Sequence, residues 1–114
     1  MAHSLLCFVS LLLPALVYGQ QTHVYFGTGA KHAKGIYRST FDSKSGKLRP
    51  PTLAAEIRNP GFLAMNAERT RLYAVATEKE PVVAAYTVGN DGALALLNTV
   101  PIGDGGGAHI SVHP

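Results

Sequence analysis

Residues 59–76 read NPGFLAMNAERTRLYAVA, and this stretch decides what fold the chain can adopt. Two short apolar runs, FLAM at 62–65 and LYAVA at 72–76, flank the polar segment 66–71. This pattern is typical of two antiparallel strands joined by a tight turn. We therefore predict a β-hairpin here.

Parts of this hairpin recur elsewhere in the chain. The matched pairs are GAHISVHP at 107–114 with PGFLAMNA at 60–67, VYF at 24–26 with LYA at 72–74, and SGKL at 45–48 with DGAL at 91–94. Their offsets all lie between about 46 and 48 residues, and such a period in a chain of strands indicates a β-propeller or a similar array. No long stretch after residue 20 shows a helical period without Gly or Pro inside it. The predicted fold class is therefore all-β.

Composition and length set further bounds. The chain is 46% hydrophobic and 15% charged, which is typical of a folded globular protein. About two copies of a four-stranded blade are too few to close a ring of roughly 4–8 blades. We therefore expect the 114 residues to be an N-terminal fragment of a longer propeller. The net charge of +3 comes from scattered Lys and Arg, so nucleic acid is not an expected partner.

Residues 1–19 have the features of a secretory signal peptide. Residues 5–13 form a short apolar core that Pro14 ends, and VYG at 17–19 places small residues before a cleavage site. The run is too short to span a bilayer, although a buried N-terminal helix or strand is the alternative. Cys7, the only cysteine, would be removed with the signal peptide. The mature domain, 20–114, would then be secreted or periplasmic, without thiols and without membrane attachment.

Eight strands are predicted in the mature domain, at 23–26, 35–41, 48–57, 62–65, 72–76, 82–88, 93–102 and 108–112. A propeller blade has four antiparallel strands, which we letter A to D from the central channel outward. The first three predicted strands then become B to D of one blade and the next four become A to D of a second. The last strand would open a third blade.

The alternation of antiparallel strands also decides which loops share a face of the ring. Each B–C and D–A connection lies on one face, which we call the mouth face, and each A–B and C–D turn lies on the other, the turn face. The mouth face should gather residues 28–34, 54–59, 77–81 and 103–109, and the turn face 66–71, 42–46 and 89–92. Ligand sites favour places where loops converge on a rigid scaffold, so we expect the site on the mouth face.

In this order, the motifs resemble the seven-bladed β-propeller lactonases, the 6-phosphogluconolactonase and cycloisomerase-2 group. The matching motifs are VYFGT at 24–28, GIY at 35–37, FD at 41–42, SGKL at 45–48, NPGFLA at 59–64, LYAV at 72–75, LLNTVP at 96–101 and GGGAHISV at 105–112. They cover essentially everything after residue 19. The resemblance implies that the full-length protein hydrolyses a sugar lactone, either 6-phosphogluconolactone or an unphosphorylated aldonolactone. It implies no cofactor or metal ion, and the fragment alone should be inactive.

Two other functions remain open at this stage, because propellers carry many activities on one fold. One is a non-catalytic propeller that binds a ligand or a partner. The other is a cycloisomerase acting on a muconate-type acid, which should have several arginines around the channel.

The resemblance also indicates which residues of this chain could form the site. His109 lies in Gly-x-His-x-Ser-Val and could orient a lactone carbonyl or pass a proton to an attacking water, or merely contact a neighbouring blade. Glu78 is a second catalytic candidate or simply a loop charge. The candidates for substrate binding are Arg58, Asn59 and Thr28.

The chain departs from the family pattern at several positions. Ala108 stands where relatives usually have cysteine, Gly29-Ala30 stands where they read Tyr-Thr, and Ala76-Thr77-Glu78 stands where Asn-Glu is usual. His109 and His113 would lie roughly 13 Å apart on one strand, which is too far for a shared metal ion.

Overall fold

The computed structural model describes residues 21–29, 31–103 and 105–114. The predicted signal peptide 1–19, with Cys7, lies outside these residues, as do Ala30 and Asp104. The described residues form eight strands and no helix, which confirms the all-β prediction. The strands are β1 (Gln21–Phe26), β2 (Gly35–Asp42), β3 (Lys47–Leu48), β4 (Thr52–Glu56), β5 (Phe62–Met65), β6 (Arg71–Thr77), β7 (Pro81–Val88) and β8 (Leu94–Pro101).

The strands form two antiparallel sheets that match the two predicted blades. In the first sheet β1 pairs with one edge of β2, and β3 and β4 share its other edge. In the second sheet the order is β5-β6-β7-β8, with every pair of neighbours antiparallel. The first sheet thus supplies strands B to D of a blade, and the second supplies A to D.

Two of the strand predictions were wrong in detail. The strand predicted at 48–57 is broken into β3 and β4 by residues 49–51, because Pro50 and Pro51 have no N–H to donate to a ladder. The strand predicted at 108–112 does not form. A strand needs a neighbour to pair its N–H and C=O groups, and none of the described strands pairs with this segment.

The two sheets share one apolar core. Alternate residues of β6 and β7 point toward the first sheet, and those that are buried are Leu72, Ala74, Ala76, Val82, Ala84 and Tyr86. They pack with Ile36 of β2 and Ile57, which follows β4. The small alanine side chains let the sheets approach closely, so the fold stacks blades face to face.

The β7–β8 turn of the second sheet packs on the first sheet at the turn face. The Tyr25 hydroxyl donates to the Gly92 carbonyl at 2.5 Å, and Arg38 Nη1 donates to the Asp91 carbonyl at 3.0 Å. Gly92 has a φ of 82°, and a Cβ there would lie 2.6 Å from the His23 ring, so only glycine fits. Burial raises the pKa of Tyr25, which keeps its hydroxyl protonated as a donor. These contacts help to fix the angle between the blades.

The β5–β6 turn contains a strained residue, and this yields a test of stability. Asn66 Oδ1 accepts the N–H groups of Thr70 and Arg71, both at 2.9 Å, and Arg69, which directly precedes Thr70, has a φ of 60°. Arg69→Gly should relieve the left-handed conformation and raise the free energy of unfolding by about 0.5–1 kcal/mol. The neighbouring change Glu68→Gly is the matched control and should lower it. Denaturant unfolding of both variants measures the difference, and equal shifts would show that the conformation of Arg69 carries no strain.

Candidate functional site

Three of the loops predicted for the mouth face converge at the boundary between the two sheets. These are the β1–β2, β4–β5 and β6–β7 connections. The Ile57 N–H donates to the Lys34 carbonyl at 3.1 Å, and the Thr77 N–H donates to the Arg58 carbonyl at 3.0 Å. Backbone hydrogen bonds thus join each loop to the next, so strand parity, read from the sequence, placed these loops correctly.

Between these loops lies a groove of about 330 Å³, which we call the inter-blade groove. Its lining residues are Ala33, Lys34, Glu56, Ile57, Arg58 and Glu78. Ile57 is buried, whereas the four charged residues are exposed. The groove therefore has an apolar part at Ile57 and a rim of two cations and two carboxylates.

The segment that carries Arg58 and Asn59 is held in place by close backbone packing. A Cβ at Gly27 would lie 2.3 Å from the Pro60 carbonyl oxygen, so glycine at position 27 lets this segment lie against the end of β1. Asn59 adopts a φ of 51°, a conformation that Asn tolerates better than most residues. Its carbonyl accepts the Gly61 N–H at 2.8 Å. These two candidate residues are thus presented by a rigid bend that leads into β5.

Thr28 is used to close its own loop. Its hydroxyl donates to the Gly35 carbonyl at 2.7 Å, and the side chain is half-buried. It does not line the inter-blade groove. The observed role of Thr28 is therefore to shape the β1–β2 connection.

His109 packs against the start of β5, the innermost strand of the second sheet. Its ring packs on that of Phe62, the first residue of β5, with the ring centroids 4.5 Å apart and the planes tilted by 55°. The imidazole remains exposed, and Phe62 is 38% exposed. Because β5 begins at the mouth face, His109 is on the face that carries the groove.

A short segment of chain connects the groove to Phe62, on which the His109 ring packs. Phe62 follows Arg58 by four residues. Even a fully extended chain of that length spans at most about 14 Å, and the bend at Pro60 shortens it. His109 itself does not line the groove, so the two would contact different parts of a ligand.

Of the predicted site residues, the structure brings Arg58 and Glu78 together in the groove, whereas His109 lies outside it, against Phe62. Lys34 and Glu56 line the same groove but were missed by sequence reasoning. Neither belongs to a recognisable motif, and the available signal was their position in the loops assigned to the mouth face.

Clustered metal-ligand side chains and long apolar helices are both absent from the part of the chain that the structure describes. No group of three or more His, Cys, Asp or Glu residues there is placed to hold a metal ion. His113 does not join His109, and its Nδ1 lies 2.9 Å from the Pro114 carbonyl oxygen. Among the described residues from 21 onward, no helix is long and apolar enough to cross a membrane.

A larger cavity, of about 390 Å³, lies on the turn face. It is bounded by the start of β1 and by the β5–β6 and β7–β8 turns, with Tyr25, Met65 and Arg69 among its lining residues. These turns are closed by their own hydrogen bonds, such as Asn66 N–H to the Arg71 carbonyl at 3.1 Å. None of the predicted site residues lines it, so the mouth face remains the better candidate.

Comparison with known proteins agrees with this architecture. A sequence profile of the family described as "Lactonase, 7-bladed beta-propeller" matches residues 23–114. The 6-phosphogluconolactonase of Bacillus subtilis (strain 168) is 36% identical over 91 residues, which are 77% of this chain and 26% of that protein. The crystal structure of a protein from Lactobacillus plantarum has 33% identity and a TM-score of 0.72, over 82% of this chain and 27% of that one.

A more distant structure shares the fold. The periplasmic gluconolactonase of Pseudomonas aeruginosa has 20% identity and a TM-score of 0.65, over 71% of this chain and 25% of that protein. At this identity the likeness shows the fold alone. The chain spans 25–27% of the length of these three proteins.

Proposed function

Because the chain belongs to the seven-bladed β-propeller lactonase family, we propose that the whole protein hydrolyses a sugar lactone, with the mouth face of these two blades forming part of its site. The observation that carries the proposal is the position of His109. An exposed imidazole is held on Phe62 at the head of an innermost strand, on the same face as the charged inter-blade groove.

The reaction assigned to this site is water attack on the lactone carbonyl carbon. His109 accepts a proton from the attacking water as the C–O bond forms, and the carbonyl oxygen becomes an oxyanion. The bond between the carbonyl carbon and the ring oxygen then breaks. His109 returns the proton to the departing ring oxygen, which becomes a hydroxyl of the open-chain acid. The groove residues Arg58 and Glu78 hold the sugar during these steps.

The location and the extent of the protein are also part of this proposal. We infer that residues 1–19 direct export and that residues 20–114 act in a secreted or periplasmic enzyme. The remaining blades would complete the ring and add further channel residues. The 114 residues alone would then lack a complete site and show no lactonase activity.

A direct activity assay tests the proposal. The complete protein is incubated with glucono-1,5-lactone and, separately, with 6-phosphogluconolactone, and acid release is followed in a weakly buffered solution. Hydrolysis of at least one lactone above the buffer rate is expected. No acceleration of either would contradict lactonase function.

A non-catalytic binding propeller is a second candidate, and one observation favours it. The contact between His109 and Phe62 is a ring-packing contact of the kind that stabilises neighbouring segments, and it does not by itself require catalysis. A protein that binds a lactone analogue but hydrolyses no lactone would support this function. Muconate cycloisomerase chemistry is less well supported, since Arg58 is the only arginine that lines the inter-blade groove.

A further inference from the structure

The inter-blade groove has a balanced set of charges. Lys34 and Arg58 supply two positive side chains, and Glu56 and Glu78 supply two carboxylates. The groove therefore offers an anion no net attraction. It offers hydrogen-bond donors and acceptors in similar measure, since ammonium and guanidinium groups only donate and carboxylates only accept.

The walls of the groove are fixed before any ligand binds. The backbone hydrogen bonds from Ile57 to Lys34 and from Thr77 to Arg58 tie its three loops together. The Lys34 N–H also donates to the Tyr37 hydroxyl at 3.2 Å, and the Glu78 N–H donates to the Glu80 carbonyl at 3.1 Å. The backbone of a site held in this way needs little reordering on binding, so the entropy cost comes from the side chains.

The four charged side chains are available to a ligand. Within the described ranges, no hydrogen bond or ion pair engages the side-chain charges of Lys34, Glu56, Arg58 or Glu78. The volume of about 330 Å³ is at the lower end of the range for small-molecule sites. Ligand groups that both donate and accept can pair with any of these four side chains. Neighbouring hydroxyls on a small polyol are such groups.

We propose that the inter-blade groove is a subsite for the hydroxyl groups of an uncharged sugar lactone, and that it selects such a lactone over its phosphorylated form. This rests on the proposed lactonase function and names its substrate class. Each hydroxyl donates to Glu56 or Glu78 and accepts from Lys34 or Arg58. A phosphate dianion in the same place would gain from the two cations but face both carboxylates, which like-charge repulsion opposes.

Binding of non-hydrolysable probes tests the selectivity. The complete protein is titrated by calorimetry with glucono-δ-lactam and with its 6-phosphate. The wild-type protein should bind the neutral lactam more tightly, by about tenfold. The double variant Glu56→Gln, Glu78→Gln leaves two uncompensated cations and should bind the phosphorylated lactam about tenfold more tightly than the wild type does. The neutral lactam loses two carboxylate acceptors and should bind more weakly than to the wild type, so the order of the two affinities reverses. Glu68→Gln on the turn face removes one carboxylate elsewhere and should leave both affinities unchanged.

The outcomes separate this inference from the proposed function. Tighter wild-type binding of the phosphorylated lactam, or a double variant that behaves like Glu68→Gln, overturns the groove proposal even if the protein hydrolyses lactones. Failure to hydrolyse either lactone overturns the proposed function, whatever the lactams do. If the double variant binds neither lactam and its circular dichroism spectrum is altered, the variant is misfolded. The single variant Glu78→Gln is then used, and it should weaken the preference for the neutral lactam. An unchanged preference in a folded single variant would also count against the groove.

Discussion

Replacing His109 with alanine in the complete protein is expected to lower kcat for lactone hydrolysis by about 100- to 10,000-fold, the range of general acid–base catalysis. His109 offers an exposed imidazole on the mouth face, packed on the Phe62 ring, and an imidazole can accept and return a proton near neutral pH. The rate is measured by acid release at saturating lactone, with the unfolding midpoint recorded in parallel. Because the imidazole is exposed, the midpoint should change little.

Two control variants separate catalysis from the contact with Phe62. His109→Asn keeps a polar side chain of similar reach but cannot transfer a proton near neutral pH, so it should be as inactive as the alanine variant. His113→Ala changes a histidine in the same segment whose recorded contact is with the adjacent Pro114, and it should keep the wild-type rate. A wild-type rate in His109→Asn would show that His109 only packs against the blade.

Expressed alone, residues 20–114 are expected to aggregate or to remain partly unfolded and to hydrolyse no lactone. The second sheet exposes large apolar side chains on its outer strand, with Leu96 at 59%, Leu97 at 52% and Val100 at 54% exposure. In the described part of the chain β1 pairs only with β2, so its other edge is open. Exposed apolar surface and open strand edges both promote association between chains.

Size-exclusion chromatography with light scattering, followed by thermal unfolding, measures this outcome. The expected profile is a broad distribution of large species with no cooperative transition. The complete protein is the matched control and should elute as a discrete species with a sharp transition. A monomeric 20–114 segment with an equally sharp transition would show that two blades suffice for folding.

Much of the fold could be predicted from the sequence because local signals agree with the tertiary arrangement. The apolar, β-rich runs at 72–76 and 82–88 indicated the strands that bury Leu72 and Tyr86 against the first sheet. The repeat of about 47 residues indicated the blades, and strand alternation then placed the mouth loops.

The parts that could not be predicted depend on contacts distant in sequence. Residues 108–112 have the composition of a strand but no pairing partner in the described chain, and periodicity cannot reveal the absence of a partner. Lys34 and Glu56 join the groove only because backbone hydrogen bonds bring two loops together. The left-handed conformation of Arg69 could not be predicted, because positive φ is usually indicated by glycine and this position carries arginine.

The most direct test of a lactone site on the mouth face is a crystal structure of the complete protein with glucono-δ-lactam bound. We predict that the lactam lies on the mouth face, with its hydroxyls in hydrogen-bond contact with the inter-blade groove and its ring carbonyl toward His109. A lactam bound in the turn-face cavity beside Tyr25 and Arg69, with the mouth face empty, would contradict the account.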